Sequence, residues 1–242
     1  MSEGAILFDA PPTLTAAVVK HIQDLILRGE FPPGSALPEI PLARRLDTSR
    51  GTVREALREL AELGLVELHA RRGAVVAQLS AQRAREIFSL RALLESFAVR
   101  LALTEGRIGA GERRQIEAAF ATMERCAESG DTAALIDADM AFHWAICAPC
   151  GHELLLEQLH GLQVRTRQCI YYTKFYESDV ESEVASHTPL LRAIQSGEAD
   201  RAEAAMGDHI ATAGERLLVR LLERGLADRR LADRRLADHR HG

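Results

Sequence analysis

The sequence has little cysteine, few aromatic residues and no long apolar run. Its 242 residues include four cysteines and one tryptophan, and aromatic residues make up 5% of the chain. Four cysteines in a chain of this length give no disulfide framework of the kind that small secreted proteins use. No apolar stretch has membrane-spanning length, and residues 1–12 lack the basic start and apolar core of a secretion signal. These absences predict a cytoplasmic chain without a membrane partner.

An excess of positive charge is also missing. The formal net charge is −5 at pH 7, and residues 1–80 hold nine Lys and Arg against ten Asp and Glu. Nucleic-acid binding depends on where the basic residues lie more than on their total number. Any nucleic-acid surface must therefore gather its basic side chains on one face of the protein.

The most informative stretch is residues 49–57, which read Ser-Arg-Gly-Thr-Val-Arg-Glu-Ala-Leu. Ser49 can cap the first turn of a helix. Arg50 and Arg54 are four residues apart and share one face of that helix, while Val53 and Leu57 begin an apolar stripe on its other face. Such a helix fits the DNA major groove, although taken alone it is more typical of an ordinary amphipathic helix with solvated arginines.

The flanking segments favour DNA binding. Two helices are predicted before this helix, and two short strands joined by a basic turn are predicted after it. The elements are a helix at 13–29, a short helix at 42–46, a turn at 47–48, and strands at 65–69 and 74–77. Three helices followed by a basic hairpin are the order of a winged helix-turn-helix. At the hairpin tip, Gly73 lets the backbone approach a phosphate closely.

Residues 13–78 resemble the DNA-binding domain of the GntR family of bacterial transcription regulators. The shared motifs are Gly-x-Phe-x-Pro-Gly-x-x-Leu at 29–37, Glu-x-x-Leu-Ala at 39–43, Ser-Arg-x-x-Val-Arg-Glu-Ala-Leu at 49–57 and Leu-x-x-x-Gly-Leu-Val at 60–66. The resemblance implies that operator DNA is contacted by Ser49, Arg50, Thr52, Arg54 and Gly73. We add Arg44 and Arg72, because both belong to the basic cluster expected on the same face. Ile40 stands where some members have a base-reading arginine, so the motifs do not predict the operator sequence.

A second domain is predicted over residues 81–224, which are rich in Ala, Leu, Arg and Glu and show no strand pattern. Six helices are predicted at 81–104, 110–129, 132–147, 152–175, 179–196 and 199–224. Ser80 can cap the first of them, and Ser178 with Glu181 forms a capping box for the fifth. The fold class is therefore mainly α: a winged helix-turn-helix followed by an antiparallel helical bundle, whose core offers a pocket.

Four residues of this second domain carry metal-binding chemistry. Asp139 and His143 are spaced i, i+4 on the third helix, while His187 and His209 belong to the fifth and sixth helices. One carboxylate and three imidazoles suit a divalent transition metal. From spacing alone, however, each histidine is better explained as a surface or hydrogen-bonded core residue, and the Asp–His pair is commonly just a salt bridge.

Residues 83–215 resemble the FCD effector domain of the FadR-type GntR regulators. The shared segments are 89–95, 139–143, 187–194 and 205–210. The resemblance implies that Asp139, His143, His187 and His209 bind a divalent metal, zinc or nickel, with a small carboxylate effector at or beside the ion. We expect Arg91 and Arg165 to bind the effector carboxylate, because guanidinium forks match carboxylates, although each can equally form a surface salt bridge.

The two ends of the chain lie outside these domains. Residues 1–12 form an N-terminal tail, and residues 225–242 repeat Leu-Ala-Asp-Arg-Arg with a period of five. A period of five gives no apolar stripe on a helix, so this tail is predicted to be disordered.

Together these patterns predict a ligand-responsive transcriptional regulator. It binds a palindromic double-stranded DNA operator as a homodimer, because two-fold symmetry presents two recognition helices to two half-sites. Such proteins usually repress transcription until the ligand binds and relieves the repression. Two alternatives are a metal-dependent enzyme and a sensor of the metal ion itself. The enzyme is disfavoured, because no further carboxylate stands at helical spacing beside the histidines to transfer protons.

Overall fold

The computed structural model describes residues 13–173 and 180–238. Its contacts divide the chain between Gln78 and Leu79 into an N-terminal unit and a C-terminal unit. The predicted fold class is confirmed: the first unit is a winged helix-turn-helix, and the described part of the second is helical.

The N-terminal unit contains three helices and a two-stranded hairpin. These elements are α1 (Leu14–Leu27), α2 (Glu39–Arg45), α3 (Arg50–Glu62), β1 (Val66–His69) and β2 (Gly73–Val76). Ser49 caps α3 by accepting a hydrogen bond from the Thr52 backbone N–H at 3.0 Å. On the inner face of α3, Val53 and Leu60 are fully buried. The predicted recognition helix thus begins where the sequence placed it and turns its arginines outward.

The turn between α2 and α3 depends on an unusual backbone conformation. Asp47 has a φ of +47°, which aspartate tolerates better than most residues. The Thr48 N–H then donates to the Ala43 carbonyl at 3.0 Å, and this bond holds the short connection closed. The turn therefore fixes the angle at which α3 leaves α2.

The wing consists of β1 and β2 paired antiparallel, with Val66 opposite Val76 and His69 opposite Gly73. An additional bridge joins Ala36 to Val75, so the segment before α2 adds to the edge of the hairpin. The sequence does not predict this third piece, because the Pro and Gly residues around it indicate only a turn.

The C-terminal unit is built from helices that pack around one apolar core. They are α4 (Ala81–Thr104), α5 (Ala110–Ser129), α6 (Thr132–Cys147), α7 (Glu153–Thr173), α8 (Val180–Ala185), α9 (Thr188–Ser196) and α10 (Ala199–Asp238), and a 3-10 turn covers Ala148–Cys150. Ser80 caps α4 as predicted, accepting from the Arg83 N–H at 3.0 Å. Ser178, the other predicted cap, lies outside the described residues.

The single helix predicted at 179–196 is wrong. The structure breaks it into α8 and α9 at Ser186 and His187. Pro189 lies in the first turn of α9, where it needs no N–H partner. In one continuous helix its ring would clash with the carbonyl of Ala185, four residues earlier. The break places His187 at the start of α9.

Two glycines of α10 allow it to lie close to α4. A Cβ added at Gly214 would come within 2.9 Å of the Phe88 Cβ, and one added at Gly207 within 3.2 Å of the Ser96 Oγ. Since glycine has no side chain, the two helix backbones can approach at these points. This close packing brings the residues of α10 up to those of α4 in the core.

The tail at 225–242 was predicted to be disordered, but α10 continues along it through Asp238, and residues 239–242 lie outside the described residues. Ala, Leu and Arg are strong helix formers, so a helix that begins in the core can be continued by this repeat without an apolar stripe. Among the described residues, no helix combines the length and the apolar composition needed to cross a membrane.

Candidate metal centre and nucleic-acid interface

The predicted DNA-contacting residues all lie in the N-terminal unit, and most of them are exposed. Thr52 is the exception, being half-buried in the first turn of α3. The exposed members are Arg44 near the end of α2, Ser49, Arg50 and Arg54 along α3, and Arg72 and Gly73 at the wing. Gly73 has a φ of +72°, a conformation that glycine adopts without strain. The helix and the wing therefore present the chemistry that a DNA backbone and groove require.

The side chain of Arg54 is held by a carboxylate that the sequence analysis did not single out. Its Nε donates to Glu39 Oε1 at 2.9 Å, and its Nη2 donates to Glu39 Oε2 at 2.7 Å. Arg50 approaches the same carboxylate, with Nη2 3.7 Å from Oε2. The hydrogen bond from Arg54 lowers the pKa of Glu39, so this residue is a carboxylate at neutral pH. Fifteen residues separate Glu39 from Arg54, and no local pattern reveals such a pair.

Three of the four predicted metal ligands meet in the interior of the C-terminal unit. One ligand atom each from His143, His187 and His209 lies within 4.8 Å of the others. The Asp139 carboxylate joins them, with Oδ1 2.8 Å from His187 Nε2 and 3.8 Å from His143 Nε2. Asp139, His143 and His187 are almost fully buried. The structure thus brings the whole predicted set together.

Three separate parts of the chain supply these side chains. Asp139 and His143 project from one face of α6, as their spacing predicts, and His209 projects from α10. His187 lies at the N-cap of α9 rather than within a helix, where it was expected. The turn that precedes α9 therefore provides one member of the set.

The hydrogen bonds of His187 show that the site suits a cation. Its Nδ1 lies 3.0 Å from the Glu183 carbonyl oxygen, which can only accept, so Nδ1 carries a proton. Its Nε2 lies 2.8 Å from Asp139 Oδ1, a second acceptor. In this arrangement a proton must lie between Nε2 and the carboxylate. A divalent ion ligated by both atoms would take the place of that proton.

His143 is oriented in a similar way by Glu95 of α4. Its Nδ1 lies 2.6 Å from Glu95 Oε2, which leaves Nε2 directed at Asp139 and the other imidazoles. The second oxygen of Glu95 accepts from Arg91 Nε at 2.5 Å. Burial acts to raise the pKa of Glu95, but the charge of Arg91 and the hydrogen bonds from His143 and Arg91 outweigh it, and the pKa is lowered. A charged carboxylate behind a metal-binding imidazole is a common means of fixing its ring.

The surroundings of His143 and His209 favour the neutral imidazole, whose ring nitrogen has a free lone pair. Burial lowers the pKa of His143, and burial together with the neighbouring His187 and His143 lowers that of His209 well below its usual value. For Asp139, burial acts to raise the pKa, but the hydrogen bond from His187 and nearby positive charge, including that of Arg91, bring it well below the usual range. Neutral imidazoles and an ionised carboxylate are the forms that ligate a divalent metal.

The cluster opens into a cavity that includes one of the two expected effector-binding arginines. The described lining residues are Phe88, Arg91, Asp139, His143, Ile170, Glu183, His187, His209, Ile210, Ala213 and Leu217. Arg91 is only 4% exposed, so it is a buried guanidinium beside the metal-ligand set.

The role of Arg165, the other arginine expected to bind the effector, stays a prediction. This residue of α7 is not among the described residues that line the cavity. Burial and the nearby charge of Arg83 lower the pKa of Arg165.

Glu183 is a further cavity residue that the sequence analysis missed. It is 3% exposed, and its carboxylate lies 3.0 Å from Arg216 Nη2 and 3.9 Å from Arg220 Nη2. The two arginines are four residues apart on α10 and therefore share a face. Since α8 and α10 are distant in sequence, only the fold reveals this ionic cluster beside the metal ligands.

Comparisons with known families agree with the two units. Residues 14–76 match the family described as bacterial regulatory proteins, gntR family, and residues 86–212 match the FCD domain.

Two named relatives align along most of the chain. The probable D-xylose utilization operon transcriptional repressor of Paenarthrobacter nicotinovorans is 31% identical over 200 residues, which cover 80% of this chain and 86% of that protein. The transcriptional repressor GlaR of Escherichia coli K12 is 30% identical over 205 residues, covering 80% and 90%.

Solved structures show the same fold. Escherichia coli McbR/YncC gives a TM-score of 0.73 at 21% identity, covering 85% of this chain and 97% of its own. A putative GntR transcriptional regulator from Rhodococcus sp. RHA1 gives 0.71 at 22% identity, covering 84% and 97%.

Proposed function

The chain belongs to the GntR family of bacterial regulatory proteins and carries an FCD domain, and we propose that it is a transcriptional repressor controlled by a small organic acid. Its family and relatives are transcriptional regulators, not enzymes. We propose repression and not activation because both the Paenarthrobacter nicotinovorans relative and GlaR are named as repressors. We expect the protein to act in the bacterial cytoplasm, because the operator DNA is there.

In this proposal the N-terminal unit binds the operator through α3 and the wing. Arg50 and Arg54 contact base edges or phosphates, while Ser49 and Thr52 contact the backbone at the start of the helix. Arg44 contacts a phosphate beside the major groove, as do Arg72 and the Gly73 backbone beside the wing. The support is that nearly all of these groups are exposed on α2, α3 and the wing.

We propose that two copies bind a palindromic operator as a homodimer. An exposed apolar stripe on α4 supports a contact between copies: Leu90 is 45% exposed, Leu93 66% and Phe97 45%. These residues recur at spacings of three and four on the face of α4 opposite Glu95. Large apolar side chains grouped on one face of a helix usually mark an interaction surface. A second copy of the same stripe provides a self-complementary partner.

The C-terminal unit is proposed to hold a divalent ion, zinc or nickel, with Asp139, His143, His187 and His209 as ligands. Three nitrogen donors and one oxygen donor match the preference of these metals. A bound ion would supply the positive charge that attracts a carboxylate effector. Arg91 lies beside the ligands on α4, and its guanidinium is proposed to bind the carboxylate of a small organic acid.

Control of DNA binding follows from linkage between the two sites. The dimer is proposed to have two conformations, and in one of them the two recognition helices do not fit the operator. If the acid binds that conformation more tightly, its binding lowers the affinity of the protein for DNA. The observation that carries this proposal is the buried convergence of His143, His187 and His209 with Asp139 in a unit joined to a winged helix.

The proposal is tested by operator binding at fixed metal content. A duplex recovered from a randomised library with the full chain serves as the operator, and small carboxylic acids are titrated against the complex. Release of DNA by an acid in the metal-loaded protein, and no release after chelation, supports an acid sensor with the ion in its pocket. Release on chelation alone, with no response to any acid, contradicts it and identifies the ion itself as the signal.

A further inference from the structure

Glu39 is the first residue of α2, and its side chain binds an arginine of the recognition helix α3. Both oxygens of its carboxylate are engaged by Arg54, at 2.9 and 2.7 Å, and one of them also faces Arg50 at 3.7 Å. The side chains of Arg54 and Arg50 are nonetheless 50% and 60% exposed. Glu39 therefore holds the two arginines without burying them.

The atoms used in this contact decide what remains available for DNA. Arg54 gives one edge of its guanidinium, Nε and Nη2, to Glu39. The other edge, formed by Nη1 and the second hydrogen of Nη2, is the end-on edge that can donate two parallel hydrogen bonds. A guanine or a phosphate oxygen pair accepts such a fork.

We propose that Glu39 is a positioning residue for operator recognition: it holds Arg54, and more loosely Arg50, in the orientation that reads DNA. This inference depends on the proposed role of Arg54 as a DNA contact. An exposed arginine has many rotamers, and ordering it on binding costs free energy. Glu39 restricts Arg54 before DNA arrives, so less ordering is left for the binding step.

The proposal predicts opposite effects on specific and non-specific DNA. A carboxylate beside the DNA face repels phosphates, so removing its charge strengthens non-specific binding, which is electrostatic. The same change releases Arg54 from its orientation, so operator binding becomes weaker. A carboxylate with a purely electrostatic effect would change both affinities in the same direction, and so would one needed only for folding.

The experiment compares full-length variants on two duplexes by fluorescence anisotropy. One duplex is selected by the wild-type chain from a randomised library, and the other has the same composition in scrambled order. The substitutions are Glu39→Gln, Glu39→Asp and Arg54→Ala. Glu62→Gln at the far end of α3 is the control, because it removes the same charge from an exposed position. Thermal unfolding shows whether each variant is folded.

For Glu39→Gln we expect operator affinity to fall about tenfold and scrambled-duplex affinity to stay equal or rise. Glu39→Asp keeps the charge on a shorter side chain, so we expect a smaller loss on the operator and no change on the scrambled duplex. We expect Arg54→Ala to lose at least as much operator affinity as Glu39→Gln. Glu62→Gln is expected to leave the affinities for both duplexes unchanged.

Two outcomes separate this inference from the proposed function. Unchanged operator affinity in folded Glu39→Gln, with a large loss in Arg54→Ala, overturns the positioning role and leaves the DNA contact standing. Unchanged operator affinity in folded Arg54→Ala overturns the proposed DNA contact itself, and the positioning role with it. A parallel loss on both duplexes in Glu39→Gln and Glu39→Asp also contradicts the inference, because it indicates a structural role.

Discussion

At the residue scale, the buried carboxylate of Glu95 orients the ring of His143, one of the proposed metal ligands. Its two oxygens accept from Arg91 and His143 at 2.5 and 2.6 Å, so both act as acceptors. In Glu95→Gln the amide can accept at only one end, and its NH₂ group must face a donor. We expect metal affinity to fall ten- to hundred-fold, as is usual when such a supporting carboxylate is removed.

A competition titration against a coloured chelator measures this affinity. The matched control is Glu117→Gln on α5, an exposed carboxylate that accepts from Gln195. Wild-type affinity in a folded Glu95→Gln protein would show that Glu95 does not support the metal site.

The residues proposed as metal ligands could be identified from the sequence, but their hydrogen-bond partners could not. Asp139 and His143 are four residues apart, which places them on one helical face without any knowledge of the fold. Glu95 is 48 residues from His143, and its surroundings look like those of any helical glutamate. Glu183 likewise carries no sequence signal, since it meets His187 through its backbone carbonyl and Arg216 through its side chain. Contacts of this kind depend on how the helices pack.

At the element scale, the approach of α10 to α4 depends on Gly214. An added Cβ there would lie 2.9 Å from the Phe88 Cβ, which is fixed to the α4 backbone and cannot swing away. We expect Gly214→Ala to lower the free energy of unfolding by about 1–3 kcal/mol through overpacking. Denaturant unfolding followed by circular dichroism measures the change.

Gly161 of α7 provides the control for this prediction. An added Cβ there meets no atom within 4 Å. Alanine is a better helix former than glycine, so Gly161→Ala is expected to stabilise the protein by about 0.5–1 kcal/mol. If both variants move stability in the same direction, the close approach of α4 and α10 does not limit the fold.

Helix starts were easier to predict than helix breaks. Ser49 and Ser80 each cap a helix through their own side chain, and that signal is local. The break between α8 and α9 was missed because the apolar spacing continues across it. Its cause, Pro189, acts on a carbonyl four residues earlier and is compatible with the start of a helix as well as with its end.

At the scale of the whole molecule, the α4 stripe is expected to set the oligomeric state. A glutamate at position 93 places a charge at the centre of the proposed contact, where it would lose water without a partner. We expect Leu93→Glu to weaken dimerisation by about tenfold or more. Sedimentation velocity across a dilution series measures the change.

Leu14→Glu is the control for the dimer, since Leu14 is similarly exposed at 64% but belongs to the N-terminal unit. Its mass distribution should match that of the wild type. An unchanged dimer in Leu93→Glu would place the contact between copies elsewhere on the chain.

The central claim is that the C-terminal unit holds a divalent ion through the residues that converge there. Elemental analysis of the purified full chain, beside the His143→Ala/His209→Ala double variant, tests it most directly. We predict about one transition-metal ion per chain in the wild type and almost none in the variant, because two of four ligands are lost. Equal metal content in both proteins, or no metal in either after incubation with zinc and nickel, would contradict the claim.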